Sequence, residues 1–284
     1  MVYGVLSAVI ASILWSINPS VIKRYGYGVS SIALNGLRAL MAALFLLIPI
    51  ILYGFRVELV LIGLLYILGS AIIGPGIGDV LYIKSIRSIG AGKSVVIGYT
   101  YVFIAQILAA IFLGEELGIS LIIGTLLAML GIYLVYRGED NSDLCWRKIL
   151  ISLMPAIAWG VGSIVNKYAL MYTDPLSLGF IRVIVLSFIL LLPMYNSIPR
   201  SISSKRILFT AVVTGGLGYG IGMPLFLYAV DVIGVSVTVL ATTLTPVLGR
   251  LFSILIAGEK IEPKGLLGTI LVILGIIIGI GLST

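Results

Sequence analysis

Histidine is absent from this 284-residue chain, and cysteine occurs once, as Cys145. Without histidine the chain cannot hold a Ser–His–Asp triad, and it lacks the commonest metal ligand and proton shuttle of proteins. One cysteine cannot form an internal disulfide, and no cysteine–histidine set with zinc-binding spacing is present. We therefore expect neither a cofactor nor a metal site.

Charge is also scarce, because 10% of the residues are charged while 60% are hydrophobic, and the mean hydropathy is +1.22. A helix that crosses the hydrocarbon core of a membrane needs about 20 mostly apolar residues. The spans that meet this requirement lie at residues 3–22, 30–53, 59–87, 93–113, 118–136, 149–169, 176–195, 207–230, 235–257 and 265–282. The connections between them are short. The composition thus predicts an all-α integral membrane protein with ten transmembrane helices.

The chain also repeats itself at a spacing of 144 residues. The residues that recur include Trp15 as Trp159, Lys23 as Lys167, Arg38 as Arg182, and Gly74, Gly76 and Gly78 as Gly218, Gly220 and Gly222. This period predicts two repeats, 1–140 and 145–284. Each repeat holds five spans, an odd number, so the two would cross the membrane in opposite senses. Inverted repeats are typical of secondary transporters, whose substrate site lies at the repeat interface.

The net charge of +7 would suit a nucleic-acid partner, but its placement favours lipid. Most lysines and arginines lie at the ends of the loops between odd and even spans, where they meet headgroups. A loop at Gly90–Ser94 resembles the end of a phosphate-binding loop, but Arg87 stands where its first glycine is required. We therefore expect no nucleic acid and a multi-pass protein of the plasma membrane. The positive-inside rule places both chain termini outside.

Four short motifs stand in order along the first repeat: Leu14-Trp15 through Lys23, Leu37-Arg38, Ile89-Gly90-Ala91 and Gly114-Glu115. Their counterparts in the second repeat match less fully, with Val235 where the first repeat has Ala91. Through them the whole chain resembles the drug/metabolite transporter superfamily with two EamA-type five-helix repeats. The resemblance implies an exporter or exchanger of small organic metabolites that works by alternating access. It also implies a central cavity lined by spans 1, 3, 4, 6, 8 and 9, termini in the cytosol, and no need for an oligomer. The orientation it implies is opposite to that indicated by the loop charges.

An alternative function follows from Gly76-Ile77-Gly78-Asp79, which fits the Gly-x-Gly-Asp pattern of intramembrane aspartyl proteases. That chemistry needs two carboxylates sharing a proton at close range. Asp140, Asp143 and Asp174 lie in predicted loops, and Asp231 ends span 8. Since the second carboxylate is missing from this pattern, we expect a transporter and not an enzyme.

The repeat separates scaffold from substrate chemistry, because a substrate has no two-fold symmetry and its ligands should break the repeat. Trp15 and Trp159 obey the repeat, and each either lines the cavity or packs between helices. Arg38 and Arg182 also obey it, and for them we expect a structural salt bridge or carbonyl contact. Pro75 and Pro224 predict kinks in spans 3 and 8.

The predicted substrate-binding residues that break the repeat are Asn18 (opposite Gly162), Asp79 (opposite Met223), Tyr82 (opposite Phe226) and Gln106 (opposite Arg250). The pair Asn18-Pro19 interrupts span 1, as in transporters that build a site from a broken helix. Span 9 adds the hydroxyl of Thr243, suited to a polar uncharged group or a carboxylate.

Asp79 and Arg250 lie at similar depths, about 10–12 Å inside one membrane face at 1.5 Å per residue. A charge at that depth needs a partner. We therefore expect them to share the central space, where they would pair directly or bind opposite charges of one substrate. An amino acid or a similar zwitterion would suit such a site.

Overall fold

A computed structural model describes residues 1–136, 146–193, 204–257 and 263–281, apart from the side chains at 253–257 and 263–264. Cys145 lies outside the described residues. Within them the secondary structure is helical, and the sole extended pairing is an isolated antiparallel bridge between Val57 and Thr173. The predicted spans coincide with helical stretches to within a few residues.

The helices of the first repeat are α1 (Val2–Ser16), α2 (Asn18–Tyr25), α3 (Ser31–Tyr53), α4 (Leu61–Ala71), a π-helix (Ile72–Gly78), α5 (Asp79–Ile89), α6 (Ala91–Gly98), α7 (Tyr101–Leu113) and α8 (Ile119–Tyr136). Those of the second repeat are α9 (Trp146–Ala169), α10 (Pro175–Leu191), α11 (Lys205–Ala211), a second π-helix (Val212–Gly222), α12 (Met223–Ile233), α13 (Val235–Ala241), α14 (Leu244–Ala257) and α15 (Pro263–Gly281).

Seven of these helical stretches are long and apolar enough to cross a membrane, and three further apolar helices are shorter in their described part. Large apolar side chains such as Ile51, Leu52 and Phe188 are exposed on the outside. Charged and polar side chains such as Arg38 and Arg182 are instead buried inside, each 2% exposed. This distribution is that of a protein whose outer surface faces lipid and whose interior holds the polar groups.

Several spans are broken where the sequence contains proline or a glycine run. Span 1 stops at Ser16 and restarts at Asn18, with Pro19 in the first turn of α2, as predicted. Spans 3 and 8 contain the two π-helices, which replace simple kinks at Pro75 and Pro224. Widened π-turns of this kind often lie at functional sites.

Helices α8 and α15 pack closely against each other, and they meet through glycines. A Cβ atom added to Gly131 would lie 2.5 Å from the Gly268 carbonyl oxygen, and one added to Gly124 would overlap the Gly275 carbonyl. The residue numbers of the partners on α15 decrease as those on α8 increase, so the two helices are antiparallel. Small residues allow this close approach in lipid.

Candidate functional site

A cavity of about 120 Å³ lies in the middle of the protein. Its walls come from both repeats, mainly from α1, α2, α5, α7, α9, α12, α14 and the two π-helices. These belong to the spans 1, 3, 4, 6, 8 and 9 that the family resemblance implies, and α3 and α10 add Arg38 and Arg182. The lining therefore carries one carboxylate, from Asp79, and two guanidiniums.

Asp79 begins α5 directly after the first π-helix, and both of its carboxylate oxygens accept hydrogen bonds. The indole Nε1 of Trp159 donates to Oδ1 at 2.7 Å. The hydroxyl of Tyr219 donates to Oδ2, and Nη1 of Arg38 lies 3.5 Å from the same oxygen. The carboxylate is thus held by three donors from three helices.

Arg38 is fixed by more than this ion pair. Its Nη1 also donates to Asn35 Oδ1 at 2.9 Å, and its guanidinium lies 4.5 Å from the centre of the Tyr219 ring. Asn35 is oriented in turn by a 2.7 Å bond from its Nδ2 to the Pro75 carbonyl of the π-helix. Arg38 therefore belongs to a largely buried polar network with Asn35 and Asp79.

Arg182 has a different environment, although it is just as buried. Its Nη1 donates to the thioether of Met223 at 3.4 Å, a weak acceptor, and its Nε, like that of Arg38, has no hydrogen-bond partner. Among the described residues, no carboxylate lies within ion-pair distance of it. The second guanidinium therefore lines the cavity with its charge unmatched by a direct partner.

Tyr219 connects two acceptors with a single proton. Its hydroxyl lies 2.8 Å from Asn35 Oδ1 and also contacts Asp79 Oδ2. A phenol has one hydrogen to donate, so an ionised Asp79 leaves one of these two contacts without a proton. A protonated Asp79 would satisfy both, by donating to Tyr219 while Tyr219 donates to Asn35.

Aromatic side chains form the apolar walls, and the pattern crosses between the repeats. Trp15 of the first repeat packs on Phe226 of the second, with ring centres 5.2 Å apart. Trp159 of the second packs on Tyr82 of the first at 4.9 Å. Nε1 of Trp15 donates to the Gly218 carbonyl in the second π-helix at 2.9 Å.

Neutral polar atoms without partners complete the lining. They are the side-chain oxygens of Asn18, Asn166 and Thr245, which are buried and make no hydrogen bond within the described structure. Buried polar atoms are nearly always satisfied in native proteins. Such a group in a cavity wall indicates a bound molecule or water.

Five of the eight predicted site residues line the cavity: Trp15, Asn18, Asp79, Tyr82 and Trp159. Gln106 and Thr243 are not among the lining residues. Gln106 donates to Thr125 Oγ1 at 2.8 Å and to the Ser236 carbonyl at 3.3 Å, and it joins three helices. The Thr243 hydroxyl bonds to the carbonyl of Leu240, one turn earlier in the chain.

The pair expected between Asp79 and Arg250 does not form, because Arg38 is the cation beside Asp79 and Arg250 is not part of the lining. Depth along the helices matched, but depth alone does not specify which way each helix face points. Of the expected salt bridge or carbonyl contact, Arg38 makes the salt bridge, whereas Arg182 makes neither among the described residues.

Sequence reasoning also missed Tyr219 and left Asn166 out of the site. Both carried a signal, since Tyr219 stands opposite Pro75 in the repeat and Asn166 stands opposite Ile22. In addition, Asn35, which orients Arg38, stands opposite Gly179. All three break the repeat with a polar side chain, which was the criterion applied to Asn18 and Asp79.

The chemistry available at this site is binding, orientation and proton transfer. Asp79 is the only carboxylate of the described cavity lining, so a carboxylate pair of the kind that aspartyl proteases use is not found there.

The comparisons with known proteins agree with one another. The family model described as "EamA-like transporter family" matches residues 2–137 and 146–280. A protein of Archaeoglobus fulgidus named "Uncharacterized transporter" is 23% identical over 275 residues, which cover 96% of each chain. A solved crystal structure superposes with a TM-score of 0.80 over 99% of this chain and 97% of its own, at 15% identity, and shows the same fold.

Proposed function

Because the chain belongs to the EamA-like transporter family, we propose that it is a secondary transporter that moves a small organic metabolite by alternating access. Membership of the family makes it a multi-pass membrane transporter, by default of the plasma membrane, and proteins of this kind are generally not enzymes. The exporter or exchanger role and the mechanism are the parts that we propose.

The proposed architecture has ten membrane crossings in two inverted repeats, 1–140 and 145–284. The glycine contacts of α8 and α15 support it. Gly131 of α8 meets Gly268 of α15, and their repeat equivalents, Gly275 and Gly124, also meet. These equivalent helices thus pack antiparallel, as a two-fold axis in the membrane plane requires. Two repeats related by an axis along the membrane normal would place these helices parallel.

The observation that carries the proposal is the central cavity, which is bounded by both repeats and lined by three charged side chains, those of Arg38, Asp79 and Arg182. The two arginines are the buried charged residues of the described structure. A charge at the centre of a membrane helix costs about 2.5–3.5 kcal/mol on insertion scales. Three of them around an open space are difficult to explain by packing alone, and they are typical of a substrate or ion pathway.

Alternating access requires that contacts between the repeats open on one face at a time. On the face towards which α7 ends, the Glu115 carboxylate accepts bonds from the backbone N–H groups of Val235 and Ser236, at 2.7 and 2.8 Å. This first-repeat side chain caps α13 of the second repeat. We propose that it opens when the cavity faces that side, while the chain breaks after Ser16 and around Tyr99 act as joints.

Asp79 is the residue through which any proton coupling would run, because it is the only acid in the described lining. Gain and loss of its proton would change its bond with Tyr219, which crosses between the repeats, and its ion pair with Arg38 inside the first repeat. Without such coupling the protein would work as an exchanger or a facilitator.

Counterflow in proteoliposomes tests the function. Proteoliposomes are preloaded with a mixture of unlabelled metabolites, and one of these metabolites is added outside in labelled form. They should accumulate the labelled metabolite above the level of protein-free liposomes. A path through the cavity is tested by Asn166→Cys in a Cys145→Ser background, in which a small thiol reagent should block flux. The matched control is Phe188→Cys, which lies on the outer surface at 68% exposure and should stay active. The absence of counterflow for every solute would overturn the proposal.

A further inference from the structure

We infer that the cavity selects small organic anions and that Arg182 is the residue that binds their carboxylate. The transport of these anions rests on the proposed function, whereas their binding can be measured on the purified protein. A zwitterionic substrate, the expectation from sequence, assumed an acid and a base that were both available. The structure makes only the base available.

The charge of the described lining is unbalanced. Two guanidiniums, of Arg38 and Arg182, face one carboxylate, of Asp79, which leaves one net positive charge around the space. Protonation of Asp79 would increase this excess. An anion is the ligand that restores neutrality. Its electrostatic attraction to the guanidiniums is stronger in a site shielded from water than at a surface.

Asp79 is not available to the ammonium group of a substrate. Its Oδ1 accepts from Trp159, and its Oδ2 accepts from Tyr219 and lies beside Arg38. An ammonium group would have to displace one of these donors and approach a guanidinium of the same sign. The one acid in the lining is therefore used by the protein.

Arg182, in contrast to Asp79, has donors that no strong acceptor of the protein uses. Its Nε makes no hydrogen bond, its one bonded nitrogen donates to the Met223 thioether, and its side chain is 2% exposed. A guanidinium presents parallel N–H groups whose spacing matches the two oxygens of a carboxylate. A bound carboxylate would use these donors without breaking a strong contact of the protein.

The other lining residues indicate the chemistry of the ligand beyond its carboxylate. The unpaired amide oxygens of Asn18 and Asn166 would accept bonds from hydroxyl groups. The volume of about 120 Å³ is somewhat below that of an engineered cavity of about 150 Å³ that takes benzene. A hydroxy acid of a few carbons fits both the size and the polarity.

Binding to purified protein in detergent tests the charge preference with probes of one size. Lactate, lactamide, alanine and 1-amino-2-propanol share a three-carbon skeleton but are an anion, a neutral amide, a zwitterion and a cation. Further pairs of a carboxylate and its amide, with skeletons of two to six carbons, extend the test to other sizes. We expect at least one carboxylate to bind about tenfold to a hundredfold more tightly than its amide, the range for a hydrogen bond to a charged group. Ionic strength is kept constant throughout.

Substitutions assign the preference to Arg182. Arg182→Gln should remove the difference between carboxylate and amide. Met223→Asp keeps the arginine but gives it an internal partner 41 residues later, as Asp79 is for Arg38, and should also remove it. Met223→Asn has the same shape without the charge and should keep more of the preference. Arg250→Gln removes a cation outside the lining and should leave the preference intact.

The outcomes separate the two proposals. If no carboxylate binds better than its amide, or if Met223→Asp keeps the full preference, anion selection at Arg182 is overturned, even where counterflow of another solute is seen. If carboxylates bind with the expected dependence on Arg182 but no solute moves across proteoliposomes, the anion site stands and transport fails. Should Arg182→Gln not fold, the comparison of Met223→Asp with Met223→Asn decides.

Discussion

The two repeats place the same arginine in the same position and give it different partners. In the first repeat, Nη1 of Arg38 lies 3.5 Å from the carboxylate of Asp79, 41 residues later. In the second, Nη1 of Arg182 lies 3.4 Å from the thioether of Met223, again 41 residues later. The shared fold positions both guanidiniums, and one substitution determines which of them is neutralised by the protein and which stays available to a ligand.

The same contrast extends to the neighbours of the two arginines. Trp159 donates to the Asp79 carboxylate, whereas its equivalent Trp15 donates to a backbone carbonyl. Asn35, one turn before Arg38, accepts a bond from that arginine, and the second repeat has Gly179 in its place. These differences between the repeats all lie around one carboxylate, that of Asp79.

The largest expected effect comes from making the first repeat like the second. Asp79→Met leaves Arg38 buried without its acid, and it removes the acceptor of Trp159 and one of the two acceptors of Tyr219. Loss of one partner of a buried ion pair typically costs about 3–5 kcal/mol. We expect a loss of this size in the free energy of unfolding, measured by denaturant titration in mild detergent.

The control for this variant is the reverse exchange. Met223→Asp gives Arg182 a partner and should not destabilise the protein, and the double variant that carries both changes should recover part of the loss. A single Asp79→Met variant as stable as the parent would mean that the ion pair with Arg38 contributes little to folding.

Sequence reasoning went furthest where a physical rule acts on whole segments. The helical spans followed from hydropathy, and the break before Asn18-Pro19 followed from the missing N–H of proline. The repeat indicated a site between the halves, and five of the eight predicted residues line it.

Sequence reasoning failed where the partner of a side chain depends on the direction in which that side chain points. Arg250 and Asp79 have matching depth, but the rotation of each helix about its axis sets the partner, and Arg38 is the cation that faces the carboxylate. The proposed role of Arg182 would also extend the rule that ligands break the repeat. Arg182 obeys the repeat, yet its environment breaks it, because Met223 replaces an acid. Symmetry should be judged for a side chain together with its contacts.

A second prediction concerns the part of the molecule that stays symmetric. Gly131→Ala and Gly275→Ala are repeat equivalents, and each new methyl group would meet a backbone atom across the contact of α8 with α15. Overpacking of this kind typically costs about 1–3 kcal/mol. We expect similar losses of unfolding free energy for the two variants, measured in the same titration.

Gly265→Ala is the matched control for this pair, since a Cβ atom there would meet nothing within 4 Å. It should change the stability by less than about 0.5 kcal/mol. Strongly unequal losses at Gly131 and Gly275 would argue against the two-fold relation of the helices.

A third, smaller difference separates the tryptophans. Trp159→Phe removes a hydrogen bond to a carboxylate, worth about 1.5–3 kcal/mol, while Trp15→Phe removes one to a backbone carbonyl, worth about 0.5–1.5 kcal/mol. Both substitutions lose the same ring area, so the packing terms largely cancel. Trp159→Phe should be the more destabilising by about 1 kcal/mol. Equal thermal midpoints would show that Asp79 gains little from the indole.

The smallest effect on stability is expected where the repeats differ by one hydroxyl. Tyr82 and its equivalent Phe226 both line the cavity and pack on a tryptophan, and no hydrogen bond from the Tyr82 hydroxyl is found in the described structure. Tyr82→Phe should therefore change the free energy of unfolding by less than about 0.5 kcal/mol, because no protein contact is lost. If the hydroxyl contacts the transported molecule, the KM for transport should rise severalfold while the maximal rate is kept. Phe226→Tyr is the matched change on the other wall. An unchanged KM in Tyr82→Phe would remove Tyr82 from the recognition residues and leave it as a wall of the cavity, like Phe226.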